Sequence, residues 1–218
     1  RWVDPERGVV LPDRFISVAE ETGLIVPIGW WVLAETCRQV RAWQGSYPVS
    51  PPLYASVNIS GKLFGQPDVV ERVWRIVEET GLPATSLRLE ITESVLMDHG
   101  DVALRVLSEL RALGVQFSVD DFGTGFSSLS YLQRFSYDTL KIDRSFIAGM
   151  ADKADVGAIV QSIVGLGNVL GMNVVAEGVE TPAQLARLRA MRCPSAQGYW
   201  FSRPVDRQEA ELLLHTGQ

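Results

Sequence analysis

Thr139-Leu140-Lys141-Ile142-Asp143 is the stretch on which the fold turns. Successive side chains of an extended strand point to opposite faces, so Leu140 and Ile142 share one face while Thr139, Lys141 and Asp143 share the other. Ser56/Asn58, Arg88/Glu90/Thr92 and Ser118/Asp120 alternate with apolar neighbours in the same way. A central strand of an open doubly wound sheet is covered on both faces and reads as nearly continuous hydrophobic sequence. Strands with one apolar and one polar face, separated by helices, suit a barrel instead. The apolar side meets the helices, and the polar side lines the lumen and its mouth. The fold class expected is α/β, a TIM-type (β/α)8 barrel.

Outward from this strand, apolar runs and amphipathic segments alternate. Strands are predicted at Leu53–Ile59, Leu87–Ile91, Gln116–Asp120, Thr139–Ile142, Asn173–Ala176 and roughly Ala196–Phe201. Helical patterns cover Asp68–Thr80, Asp101–Leu113, Ser127–Arg134, Asp155–Leu170 and Pro182–Met191. The polar residues closing the strands (Asn58, Glu90, Asp120, Lys141, Glu177) recur every twenty to forty residues or so, the size of a strand–helix unit. Glu20-Glu21-Thr22-Gly23 and Glu78-Glu79-Thr80-Gly81 read as helix ends with glycine in the left-handed position. Six strands plus a stub at Arg1-Trp2 fall short of eight. The expectation is one domain over residues 1–218 whose first strand and most of the second lie upstream of Arg1.

Composition narrows the function. A chain of 218 residues with 46% hydrophobic content is ample for one large α/β core. Leu24–Ala34, the most apolar stretch, is interrupted by Pro27 and Gly29 and is too short to cross a bilayer, so this domain makes no membrane contact of its own. Cys37 and Cys193 have no metal-ligand spacing and read as core thiols in a reducing compartment. The net charge of −6 argues against gripping a DNA or RNA polymer. A small phosphate-bearing ligand remains compatible, because a bound divalent cation inverts the local sign.

The densest chemistry lies in Gln116-Phe117-Ser118-Val119-Asp120-Asp121-Phe122-Gly123-Thr124-Gly125, where two adjacent carboxylates meet a glycine-bracketed turn. Buried charge needs a cation or counter-charge, and five strand ends each carrying a polar group point to one shared site. In a parallel barrel those ends converge on a single mouth. Oxygen ligands without imidazole or thiolate favour magnesium or manganese over zinc. Adjacent carboxylates hold two such cations, which clamp the attacking and leaving oxygens of a phosphoryl displacement. Lys141 supplies a compact positive charge. The chemistry expected is metal-dependent hydrolysis of a phosphodiester. Gly123-Thr124-Gly125 is a weak dinucleotide-binding signal, since the preceding acids repel a pyrophosphate. Gly165, Gly167 and Gly171 read as close-packing sites, and His99 and His215 as solvated.

Val57-Asn58-Ile59-Ser60, Glu90-Ile91-Thr92-Glu93, Asp120 through Gly125 with Ser127-Ser128-Leu129, Lys141-Ile142-Asp143, Ala176-Glu177-Gly178-Val179-Glu180 and Gln197-Gly198-Tyr199 occur in this order. Together they resemble the signature set of EAL-domain cyclic di-GMP phosphodiesterases, across essentially the whole chain. The resemblance implies cleavage of cyclic di-GMP to linear pGpG with two Mg2+ or Mn2+ ions, Ca2+ binding but inhibiting. Carried over by position, Asn58, Glu90 and Asp120 ligate one metal, and Asp121 and Glu177 serve the second. Lys141 orients the nucleophilic water, Gln197 lines the site and Arg1 contacts a substrate phosphate. Glu93 anchors the loop from Phe122 to Leu129, which links metal binding to dimer contacts. The motif naming the family, with its glutamate ligand, is expected just upstream of Arg1. The resemblance also implies a homodimer in the bacterial cytoplasm, and leaves open whether upstream segments anchor the parent protein in a membrane. A receptor domain that binds cyclic di-GMP without cutting it is the alternative.

Overall fold

Strand and helix alternate through the computed structural model of the chain, which describes residues 1–124, 129–150 and 153–216. β1 (Trp2–Asp4) and β2 (Gly8–Val10) come first, followed by α1 (Ile16–Thr22) and α2 (Ile25–Ser46). Next are β3 (Ala55–Asn58), α3 (Gly61–Phe64), α4 (Val69–Thr80), β4 (Leu87–Thr92) and α5 (Glu93–Ala112). β5 (Gln116–Phe122), α6 (Leu129–Arg134), β6 (Thr139–Ile142), α7 (Arg144–Gly149) and α8 (Ala154–Val169) follow. β7 (Asn173–Ala176), α9 (Pro182–Ala190), β8 (Ser195–Ala196) and α10 (Arg207–Thr216) complete the order.

β3 to β8 form one parallel sheet of six strands in sequence order, with helices in the connections. Sequential order without a switch point is the wall of a TIM-type barrel. The alternation read at Thr139–Asp143 holds. Leu140 and Ile142 are fully buried, with Leu89, Phe117, Val119 and Val174, in the core beneath the helices. Ser118, Glu90, Asp120 and Lys141 are buried on the lumen side.

Several expectations need correction. The Arg1-Trp2 stub is no barrel strand: Trp2–Asp4 pairs antiparallel with Gly8–Val10, outside the six-stranded sheet. Asp4 drives the turn, its Oδ1 accepting from the N–H of Glu6 (3.0 Å) and Arg7 (2.8 Å), while Gly8 takes φ 72°. Pro27 and Gly29 do not interrupt their segment, since both lie inside α2. Pro27 sits in the first turn, where its missing N–H has no intrahelical partner to lose. Gly29 lets Leu63 approach, because a Cβ there would stand 3.0 Å from Leu63 Cδ2. The strand expected at Ala196–Phe201 pairs only at Ser195–Ala196. Beyond it Gly198 presses so close to the Val179 backbone that a Cβ would meet it at 2.3 Å, and the chain turns away.

α5 starts at Glu93 and not Asp101: two helical segments meet at Gly100, whose φ of 49° makes Asp101 look like a beginning. Gly167 is a close-packing site, where a Cβ would stand 2.2 Å from Val174 Cγ2, but Gly165 faces open space and Gly171 takes φ 70° beyond α8. His99 is half-buried with its ring 5.6 Å from Phe64, whereas His215 is exposed. Cys37 is buried, and burial raises its thiol pKa to about 11; Cys193 is half-buried. Residues 127 and 128 of the expected Ser127–Arg134 helix lie outside the described residues. No helix among the described residues is long and apolar enough to cross a membrane.

Candidate active site

The six parallel strands end on the same side, and Glu90, Asp120, Lys141 and Glu177 from four of those ends form one group. Register places Asn58 opposite Glu90, and Thr92 opposite Asp120. Lys141 stands between Leu140 and Ile142 on β6, and Glu177 follows β7, its N–H bonded to the Ile142 carbonyl at 3.1 Å. Lys141 Nζ lies 2.8 Å from Glu90 Oε2, 3.0 Å from Asp120 Oδ1 and 2.5 Å from Glu177 Oε1. Ser56 Oγ donates to Glu90 Oε1 at 2.6 Å, and Gln197 Nε2 donates to Glu177 Oε1 at 2.6 Å.

Adjacent residues on a regular strand point to opposite faces, so Asp120 and Asp121 should not meet. Here the β5–β6 register slips between Val119 and Phe122, and Asp121 takes φ 52°. That bulge turns the second carboxylate back toward the first. One oxygen each of Asp120, Asp121 and Glu177 come within 4.8 Å of one another. A left-handed non-glycine residue stores strain, and here it assembles the acid cluster.

Electrostatics show an excess of negative charge. Burial alone pushes the Lys141 ammonium pKa down, but Glu90, Asp120 and Glu177 more than reverse it and hold it above its ordinary value. Glu177 is pushed up by burial first, against the opposing pull of Lys141. Asp121 is pushed up by burial, then by Asp120 and Asp143, against Lys141 and Arg144. Lys141 ion-pairs with three carboxylates, Glu90, Asp120 and Glu177, and Asp121 adds a fourth acid beside Asp120 and Glu177. An all-oxygen donor set with uncompensated charge fits a hard divalent cation.

The Asp143 carboxylate caps α7, accepting from the Ser145 N–H at 2.9 Å. Ser60 caps α3 in the same way, accepting from Leu63 N–H at 3.3 Å. Glu93 is buried at the start of α5, and residues 125–128 of the loop assigned to it lie outside the described residues. Arg1 is exposed next to the hairpin, and Asn58 is exposed at the end of β3. Ser56 is the site residue that sequence reasoning passed over; its place two residues before Asn58 on the polar face was the available signal.

An EAL-domain family profile matches residues 1–204. The chain belongs to the EAL-domain family. Among curated relatives of this EAL chain is the bifunctional diguanylate cyclase/cyclic di-GMP phosphodiesterase MucR of Pseudomonas aeruginosa. It is 44% identical over 214 residues, 98% of this chain and 30% of that protein. The cyclic di-GMP phosphodiesterase NbdA of the same organism is also 44% identical over 214 residues, 98% of this chain and 27% of that protein. Among solved structures, the PaMucR phosphodiesterase in complex with c-di-GMP superposes with a TM-score of 0.92 at 43% identity. The match covers 96% of this chain and 84% of that one. The chain spans about a quarter to a third of the length of the first curated relatives, 25% to 31%.

Proposed function

We propose that residues 1–218 form the catalytic domain of a metal-dependent phosphodiesterase that hydrolyses cyclic di-GMP to linear pGpG in bacterial second-messenger signalling. The observation that carries the reading is the gathering of Glu90, Asp120 and Glu177 around the buried Lys141 ammonium, with Asp121 beside Asp120 and Glu177. The kinship of MucR and NbdA, both named as cyclic di-GMP phosphodiesterases, supports the substrate.

Asn58, Glu90 and Asp120 would hold one Mg2+ or Mn2+, and Asp121 and Glu177 the other. Such a pair, when bound, would supply a water of lowered pKa and neutralise charge on the phosphoryl group. Ca2+ would bind the same oxygens and inhibit. Lys141, anchored from three sides, orients the attacking water. Glu177, held by Lys141 and Gln197, would take the water's proton. The water oxygen bonds to phosphorus as the P–O3′ bond breaks, leaving a 5′-phosphate and a 3′-hydroxyl protonated from solvent. Gln197 holds Glu177 in place, Arg1 contacts a substrate phosphate, and Glu93 anchors the loop after Phe122. The domain works as a homodimer in the cytoplasm, with its parent protein free to be membrane-anchored elsewhere.

Asp120→Asn in the full-length protein is expected to abolish Mg2+-dependent pGpG formation, measured by chromatography of the nucleotide products. Undiminished turnover refutes the assignment. Tight cyclic di-GMP uptake by calorimetry with no product from the unaltered protein would mark a receptor instead.

A further inference from the structure

Glu90 is gripped at both oxygens. Lys141 takes Oε2 at 2.8 Å, and the Ser56 hydroxyl takes Oε1 at 2.6 Å. Among the described residues no other side chain donates to Oε1. An ionised carboxylate offers about four lone-pair sites, so one donor on each oxygen leaves one site per oxygen for a further ligand. Two donors on different oxygens also fix the plane of the carboxylate, which a single Lys141 contact leaves free to pivot. Register explains how Ser56 reaches it. Asn58 lies directly opposite Glu90 on the neighbouring strand, and Ser56 sits two residues earlier on the same face. Its strand neighbours Ala55 and Val57 are buried in the core, whereas Ser56 lies on the opposite, lumen-facing side of β3.

We propose that Ser56 is a positioning residue: its hydroxyl sets the orientation of the Glu90 carboxylate toward a divalent cation. This rests on the metal reading given above. One short strand then delivers both a neutral oxygen ligand, Asn58, and the donor that aims the charged ligand beside it. Groups that orient metal ligands through hydrogen bonds typically contribute 10–100-fold to metal affinity.

The test is Mn2+ binding to the full-length protein without nucleotide, by electron paramagnetic resonance of the free ion, for the unaltered protein, Ser56→Ala and Ser56→Thr. Ser56→Ala is expected to weaken Mn2+ binding about 10–100-fold. Its urea midpoint in chelator is expected to fall by no more than the loss of one hydrogen bond to a carboxylate accounts for. Ser56→Thr keeps the hydroxyl and is expected to restore affinity. Equal Mn2+ affinity in Ser56→Ala and the unaltered protein overturns the proposal. So does a lowered urea midpoint with unchanged affinity, the signature of a purely structural hydroxyl. An unaltered protein that takes up no Mn2+ overturns the metal reading itself, a result distinct from either.

Discussion

Lys141→Met replaces the ammonium shared by Glu90, Asp120 and Glu177 with an apolar chain of similar length. The Lys141 side chain is 9% exposed and its three partners 10–16%, so the acids cannot recover their hydration in place. Removing one partner of a buried ionic group costs about 3–5 kcal/mol, because charge is left uncompensated. For a domain of this size each kcal/mol moves the melting temperature roughly 2–4 °C, so the metal-free variant should melt roughly 6–20 °C lower. The acids hold the Lys141 pKa above its ordinary 10.5, so its stabilisation is fully present at pH 7 and lost only in strong alkali. A divalent cation supplies the missing positive charge. Ligand at a hundred times its Kd stabilises by about 2.7 kcal/mol, and the variant should bind Mn2+ more tightly than the unaltered protein. Scanning calorimetry at pH 7, in chelator and then in Mn2+, therefore expects a larger metal-induced shift for the variant. A metal-free variant that melts with the unaltered protein, or equal Mn2+ shifts in both, would show that Lys141 is not the counter-charge of the cluster.

Asp121 has a folded pKa raised above its ordinary 3.8, so the native state binds the extra proton and stability falls as pH rises through the interval above that value. In chelator, urea midpoints are expected to decline more steeply with pH for the unaltered protein than for Asp121→Asn; parallel curves would refute this. At the opposite end of the sheet, Asp138 accepts from both terminal nitrogens of Arg111, at 3.0 and 2.9 Å, and from the Phe117 N–H at 2.7 Å. Asp138→Ala is expected to cost about 1.5–3 kcal/mol in urea unfolding with Mn2+ affinity intact, since hydrogen bonds to charged groups carry that much. A loss of metal binding would mean that this end is coupled to the site.

Much of the site was legible because chemistry and period coincide. Asn58, Glu90, Asp120 and Lys141 each close an alternating strand, and a parallel arrangement brings such ends together whatever lies between them. The left-handed glycines at Gly23 and Gly81 were equally plain, with φ 80° and 67°. The errors share a cause. Pro27 and Gly29 carry the local signals of a break, yet packing of α2 against the core overrides them, with Trp30, Leu33, Cys37 and Val40 buried. Trp2 and Val3 have strand character, but no local signal tells a barrel strand from an outlying hairpin. Gly198 belongs to an apolar run whose continuation as a strand is stopped by the Val179 backbone, which lies far from it along the chain.

Residue type and spacing alone determined that this protein is a parallel α/β barrel with oxygen-bearing side chains at its strand ends, because strand period and side-chain chemistry are local properties of the chain. Only the tertiary structure decided that Asp121 joins Asp120, through a bulge that breaks the period, and that one buried lysine is held by acids from three different strand ends. Hydrogen bonds such as Ser56 to Glu90 span 34 residues of chain, and a contact of that kind exists only once register is set.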